Sequence, residues 1–195
     1  MDEGVPRSVP IAEGAKILKH VWVDTNKGDN VNPNIRSRIC ARELTKGRNA
    51  LPTLDSVRLF SAMPPLEALK LLCSLMMSLD KTLGLKLAHF DISRAHFAPE
   101  ALRIIFIELL DEDKVPGKDE VGLLNKAMYG TQDASNLFQK SYTGLFLGNG
   151  LRCGKASPAT FYGEKKGCRM LVHGDDFITI CKSKYYRLHR RTFEE

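Results

Sequence analysis

Met170-Leu171-Val172-His173-Gly174-Asp175-Asp176-Phe177-Ile178-Thr179-Ile180-Cys181 is the stretch that decides the fold of this 195-residue chain. Two apolar runs, Met170–Val172 and Phe177–Ile180, flank a polar centre. β-Branched and aromatic residues on both sides of a Gly-Asp pair predict a hairpin. Gly174 supplies the backbone freedom that a tight reversal needs. Neighbouring side chains of a regular strand point to opposite faces, so Asp175 and Asp176 converge only at a turn. Two like charges about 4 Å apart repel by about 4 kcal/mol at an effective dielectric near 20. A bound divalent cation offsets that cost; in the plain alternative the carboxylates splay into water at a solvated tip.

A second acidic position lies upstream, in His89-Phe90-Asp91-Ile92-Ser93-Arg94-Ala95-His96-Phe97. It puts one carboxylate, Asp91, at the end of an apolar strand, Leu85–Phe90. A carboxylate at a strand end beside a Gly-Asp-Asp hairpin is what two-metal phosphoryl transfer requires. In that chemistry carboxylates hold two cations roughly 3.5–4 Å apart, which activate the attacking oxygen and stabilise the leaving one. Magnesium suits the task because it takes oxygen ligands and keeps waters for substrate phosphates.

Composition narrows the function classes. The hydrophobic share of 43% and charged share of 27% are those of a globular protein with an ordinary core. No apolar run is long enough to span a bilayer: the longest candidate, Leu66–Leu83, contains Glu67, Lys70, Asp80 and Lys81. Met1-Asp2-Glu3-Gly4 lacks the basic and apolar regions of a signal peptide. The expectation is an intracellular protein, in a cytoplasmic particle or the nucleus, neither secreted nor membrane-bound. Five cysteines, Cys40, Cys73, Cys153, Cys168 and Cys181, are scattered and form no Cys-x-x-Cys pair. That argues against a disulfide framework and against a structural zinc site. The net charge of +6 suits a polyanion partner, with Lys182, Lys184, Arg187, Arg190 and Arg191 crowding one end. A solvated basic face explains the same charge equally simply.

In chain order, residues 1–18 show little pattern and read as an arm. Val21–Val23 is a short strand, followed by a polar loop to Asn34. Ile35–Leu44 reads as a strand whose Arg36, Arg38 and Arg42 share one face by the period of two. Such a row suits a triphosphate or a nucleic-acid backbone; an edge strand protected by charge is the other reading. Leu51–Met63 is ambiguous. Pro64-Pro65 to Gly84 reads as an amphipathic helix, with Pro at its start and Gly at its end. The strand ending at Asp91 follows, then a short helix or turn over Ala95–Arg103 and a strand over Ile104–Leu109. Asp133 sits where it caps a helix running to Gly148, and Thr160–Tyr162 and Arg169–Val172 are strands. The pattern is α+β, antiparallel strands with helices on one face.

Taken together, four stretches resemble the reverse transcriptase domain of copia-type long-terminal-repeat retrotransposons. Arg36-Ser37-Arg38-Ile39-Cys40-Ala41-Arg42 is similar to the family's Lys-Ala-Arg-Leu-Val-Ala-Arg segment, and Asp91-Ile92-Ser93-Arg94-Ala95-His96-Phe97 to its Asp-Val-Lys-Thr-Ala-Phe-Leu motif. Leu124-Asn125-Lys126-Ala127-Met128-Tyr129-Gly130-Thr131-Gln132-Asp133-Ala134 resembles Leu-x-Lys-Ala-Leu-Tyr-Gly-Leu-Lys-Gln-Ala. His173-Gly174-Asp175-Asp176 stands in the place of Tyr-Val-Asp-Asp. Order and spacing fit from about residue 20 to about residue 185.

The resemblance implies a right-hand polymerase palm with partial fingers: an arm over 1–18, fingers over 19–63, and an incomplete palm over 64–195 with part of the fingers between its motifs. It implies two magnesium ions, with manganese as a substitute, on Asp91, Asp175 and Asp176. A primer 3′-hydroxyl would attack the α-phosphorus of a deoxynucleoside triphosphate on an RNA or DNA template. Arg36, Arg38, Arg42, His96, Gln132 and Asp133 would contact the nucleotide; His173 and Gly174 would contact the primer end. The rest of a Pol polyprotein is an implied partner. His96 replaces the aromatic ring that excludes a 2′-hydroxyl, Asp133 aligns with the motif glutamine, and His173-Gly174 replaces Tyr-Val. The chain stops soon after Asp176, before the family's thumb and ribonuclease H, so a fragment is expected. The alternative expectation is an inactive retroelement remnant that at most binds nucleic acid.

Overall fold

The computed structural model describes residues 4–43, 61–78, 84–92, 95–165 and 167–182, the side chain of His96 excepted. Its elements in chain order begin with β1 (Gly4–Pro6), α1 (Ser8–Ala12), β2 (Ile17–Leu18), β3 (His20–Asn26) and β4 (Ile35–Ala41). Then come α2 (Leu66–Ser78), β5 (Leu85–Asp91), β6 (Phe106–Glu108) and β7 (Glu120–Leu123). The last are α3 (Ala134–Gly148), β8 (Arg152–Cys153), β9 (Thr160–Gly163), β10 (Cys168–His173) and β11 (Asp176–Lys182). They fall into two compact units, Met1–Phe60 with His96–Phe138, and Ser61–Ala95 with Gln139–Glu195. The architecture is α+β.

The first unit holds a four-stranded sheet, ordered β1-β7-β6-β2, and a two-stranded ribbon of β3 and β4. Residues 4–18 are not the loosely patterned arm expected from their sequence. β1 pairs antiparallel with β7, and β2 pairs parallel with β6. Arg7 explains why so short a strand stays in place. Its guanidinium donates to Glu108 at 2.9 and 2.7 Å and to Asp119 at 2.7 Å. Leu18, Ala41, Ile105, Ile107 and Met128 form the buried cluster, with Ile39, Phe97 and Leu124 packed against it.

The second unit is a five-stranded antiparallel sheet, ordered β5-β11-β10-β9-β8. Helices cover both of its faces, which corrects the expectation of helices on one face. Ile178, Ile180 and Leu171 pack with Leu72, Ala68, Leu69 and Met76 of α2. Phe177, which points the other way, meets Tyr142 and Phe146 of α3 edge-on, with ring centroids 5.5 and 5.8 Å apart. The cause is readable in β11. Phe177, Ile180 and Cys181 are fully buried and Thr179 with them, so the strand's apolar run does not alternate with polar residues. Thr179 is tolerated inside because its hydroxyl donates to the Arg169 carbonyl at 3.2 Å and lies 3.3 Å from the Cys168 sulfur.

Other differences are of extent. α2 is described from Leu66 to Ser78, and the expected continuation towards Gly84 includes residues 79–83, outside the described residues. Residues 51–60 and the basic positions Lys184, Arg187, Arg190 and Arg191 also lie outside them. Cys168 and Cys181 are buried, Cys40 and Cys153 half-buried, and Cys73 exposed.

Candidate functional site

The acidic corner of the second unit is built by strand register. β5 pairs with β11 so that Asp91 stands opposite Asp176, and His89 opposite Ile178. Residues directly opposite in an antiparallel pair share a face, so the two carboxylates project from the same side of the sheet. His173 stands opposite Asp176 on the other flank of β11. One level of the sheet therefore reads His173, Asp176, Asp91 across three strands. Asp175 sits in the two-residue turn with Gly174, whose φ is +64°, a conformation glycine adopts without strain. The Asp175 carbonyl accepts the Ile92 N–H at 3.2 Å, so the turn is tied to the end of β5.

Thus the upstream carboxylate and the Gly-Asp-Asp hairpin meet, and it is Asp176 that faces Asp91. Asp91 is exposed and Asp175 and Asp176 are half-buried, all within reach of water. Two hard carboxylates on one sheet end suit magnesium, which takes one or two protein carboxylates and completes its shell with waters and substrate phosphate oxygens. Among the described residues no group of three or more His, Cys, Asp or Glu side chains is arranged to hold a metal ion. One oxygen of Asp176 is engaged, moreover, since His89 Nε2 lies 2.7 Å from Asp176 Oδ1. His89 did not stand out in the sequence. The signal was there in the period of two, which puts His89 on the face of Asp91. A cavity of about 310 Å³ opens beside this corner, where Pro65 and Leu66 at the start of α2 approach His89, His173 and Asp176.

The remaining candidates belong to the first unit. β4 contains Arg36 and Arg38 at alternate positions, both exposed. Arg42 lies just past the strand, its backbone N–H donating to the Lys19 carbonyl at 2.7 Å. Arg38 stacks over the Tyr129 ring, 5.8 Å from its centre, and Phe97 meets the same ring edge-on at 5.3 Å. The Ala41 N–H donates to the Tyr129 carbonyl at 2.6 Å. The Arg-rich stretch, the tail of the Asp91 stretch and the Tyr-Gly stretch thus converge on Tyr129. His96 lies in the turn Ala95–Phe97, and its side chain lies outside the described residues.

Asp133 is buried at the start of α3, and its carboxylate is engaged inside the fold. Arg103 donates to it from Nε and Nη2, both at 2.7 Å, and to both oxygens of Glu43 at 3.0 Å. Glu43 also accepts the Gln132 backbone N–H at 2.8 Å. Burial pushes the Asp133 carboxyl up, but the hydrogen bonds and charge of Arg103 outweigh it and leave the group below the usual carboxylate range. The carboxylate that the resemblance assigns to a nucleotide contact is held by Arg103 inside the fold. Arg103 and Glu43 gave no local sequence signal, being sixty residues apart.

No family model matches the chain, and neither does any curated protein or solved structure. No helix among the described residues is long and apolar enough to cross a membrane.

Proposed function

We propose that the chain carries the fingers and palm of an RNA-directed DNA polymerase, a reverse transcriptase domain of a copia-type retrotransposon Pol polyprotein. The register pair of Asp91 and Asp176 is the observation that carries the reading. Two carboxylates far apart in sequence meet at one exposed sheet end, with Asp175 in the adjoining turn. Convergence of the other quoted stretches on Tyr129 supports it.

On this reading Asp91, Asp175 and Asp176 hold magnesium, which when bound stabilises charge on the attacking and leaving oxygens. The chain's own residues do the positioning. The exposed Arg36 and Arg38 offer planar donors for phosphate oxygens. His173 lies beside Asp176 at the end of β10, where a primer end would lie, and Gly174 leaves that approach open. Template RNA or DNA, primer and deoxynucleoside triphosphates are the proposed partners.

One observation favours a second reading, a remnant that binds nucleic acid without catalysis. The His89 contact gives one oxygen of Asp176 a partner other than a cation. Primer extension by the full chain on an RNA template with magnesium separates the two. Template-dependent extension that disappears in both Asp91→Asn and Asp176→Asn supports the polymerase. Retention of primer–template with no extension under magnesium or manganese supports the remnant.

A further inference from the structure

We infer that the cavity between α2 and the β8–β9–β10 edge of the second unit binds a small amphipathic carboxylate, a medium-chain fatty acid being the simplest. The cavity measures about 480 Å³ and is lined mainly by apolar groups. Drug-sized ligands occupy cavities of about 300–1,000 Å³, apolar in the main with a few placed polar groups. One wall is α2, which presents Ala68, Leu71, Leu72 and Leu75 at helical spacing. Leu71 is 61% exposed there, although a folded chain gains by covering such a side chain.

Among the described residues the charged groups that line this cavity are of one sign. Arg152 and Arg169 both line it, and no acidic residue among the described ones does. Both are register partners of Tyr162, one on β8 and the other on β10, so the three side chains share a face. The Arg169 guanidinium stacks over the Tyr162 ring, 5.4 Å from its centre. Among the described residues neither arginine forms an ion pair, whereas Arg7 and Arg103 each pair with two carboxylates. Two guanidiniums at an apolar cavity, with no carboxylate paired to them among the described residues, suit an anionic head on an apolar body. A carboxylate fits the planar fork of either arginine, and the alkyl chain would cover Leu71 and Leu75. The inference does not depend on the polymerase reading.

Calorimetric titration of the full chain with dodecanoate, kept below its micellar concentration, tests it. One saturable site is expected. Arg152→Gln/Arg169→Gln should weaken it at least tenfold, while dodecanol, which lacks the charge, binds both proteins alike. Leu71→Asp, at an exposed position that spares the fold, should weaken dodecanoate by a similar factor. Arg36→Gln/Arg38→Gln removes the same charge from the ribbon and should leave binding unchanged. Non-saturable uptake overturns the inference. So does a loss equally large in the ribbon variant, or binding that survives both cavity variants.

Discussion

Arg103 and Asp133 are joined by two hydrogen bonds of 2.7 Å inside the first unit, and the same guanidinium grips Glu43 by two of 3.0 Å. One cation thus serves two carboxylates whose side chains are only 7% and 4% exposed. The consequences of removing each partner are therefore unequal. Arg103→Met strands both anions in the interior and should cost about 3–5 kcal/mol, the range for breaking a buried pair. Asp133→Asn leaves Arg103 neutralised by Glu43 and should cost about 1.5–3 kcal/mol, the worth of hydrogen bonds to a charged group. Urea unfolding of the two variants checks the order; equal losses would contradict it.

Acid stability follows from the same ion pairs. Glu108 is held low chiefly by its hydrogen bonds from Arg7, against an opposing effect of burial, and Asp133 is held low by Arg103 against a larger desolvation. A carboxyl depressed in the folded state takes up protons more readily when the chain unfolds. Its contribution to stability is complete above the ordinary values of 4.5 for Glu and 3.8 for Asp, and is lost as pH falls through the depressed folded values. The unfolding midpoint should fall as pH drops below about 5. Arg7→Gln, which releases Glu108, should flatten that dependence while lowering stability at neutral pH.

Two glycines with positive φ should respond very differently to alanine. At Gly130, with φ +89°, an added Cβ would collide with the Ala41 carbonyl oxygen, where the ribbon closes on the Tyr129 turn. At Gly174, with φ +64°, no heavy atom of the described residues beyond its chain neighbours lies within 4 Å of it. Gly174→Ala should therefore cost only the left-handed backbone penalty, about 1–2 kcal/mol. Gly130→Ala adds a clash of backbone with backbone and should cost clearly more. Thermal unfolding of the pair decides; a smaller loss at Gly130 would mean that the turn moves away from β4.

These contrasts show what the sequence could carry. The hairpin at Gly174 was legible because turn chemistry and β-branched flanks act locally, and the strand ending at Asp91 was legible for the same reason. Their meeting was foreseen from chemistry, whereas the register that pairs Asp91 with Asp176 comes from packing along all of β5 and β11. The fate of Asp133 was not legible. Beside a helix start it reads as a cap, and the guanidinium that binds it, Arg103, is thirty residues away. Nor did β1 announce itself: three residues carry no period, and what holds them is Arg7 reaching Glu108 more than a hundred residues on. The second face of the sheet was concealed differently, because Phe177 and Thr179 interleave with Ile178 and Ile180, and an unbroken apolar run does not say which layer each residue meets.

The Asp91–Asp176 pair yields a prediction in which stability and activity part company. Like charges directly opposite on a sheet destabilise it, by about 0.2–1 kcal/mol. His89 relieves part of this from one side, but its ring and the Asp176 side chain are both about half exposed, so that contact contributes little. Asp91→Asn should therefore leave the fold as stable as before or slightly more so, unlike a substitution in the Arg103 network. A carboxylate kept where it costs stability is the signature expected of a functional rather than a structural group. Magnesium gives the second readout, because a cation bound only by the folded chain raises the unfolding temperature by mass action. The wild-type chain should gain stability with magnesium, and Asp91→Asn and Asp176→Asn should not. A magnesium effect equal in all three proteins, or a clear loss of stability in Asp91→Asn without magnesium, would make this corner a packing feature and remove the principal support for the polymerase reading.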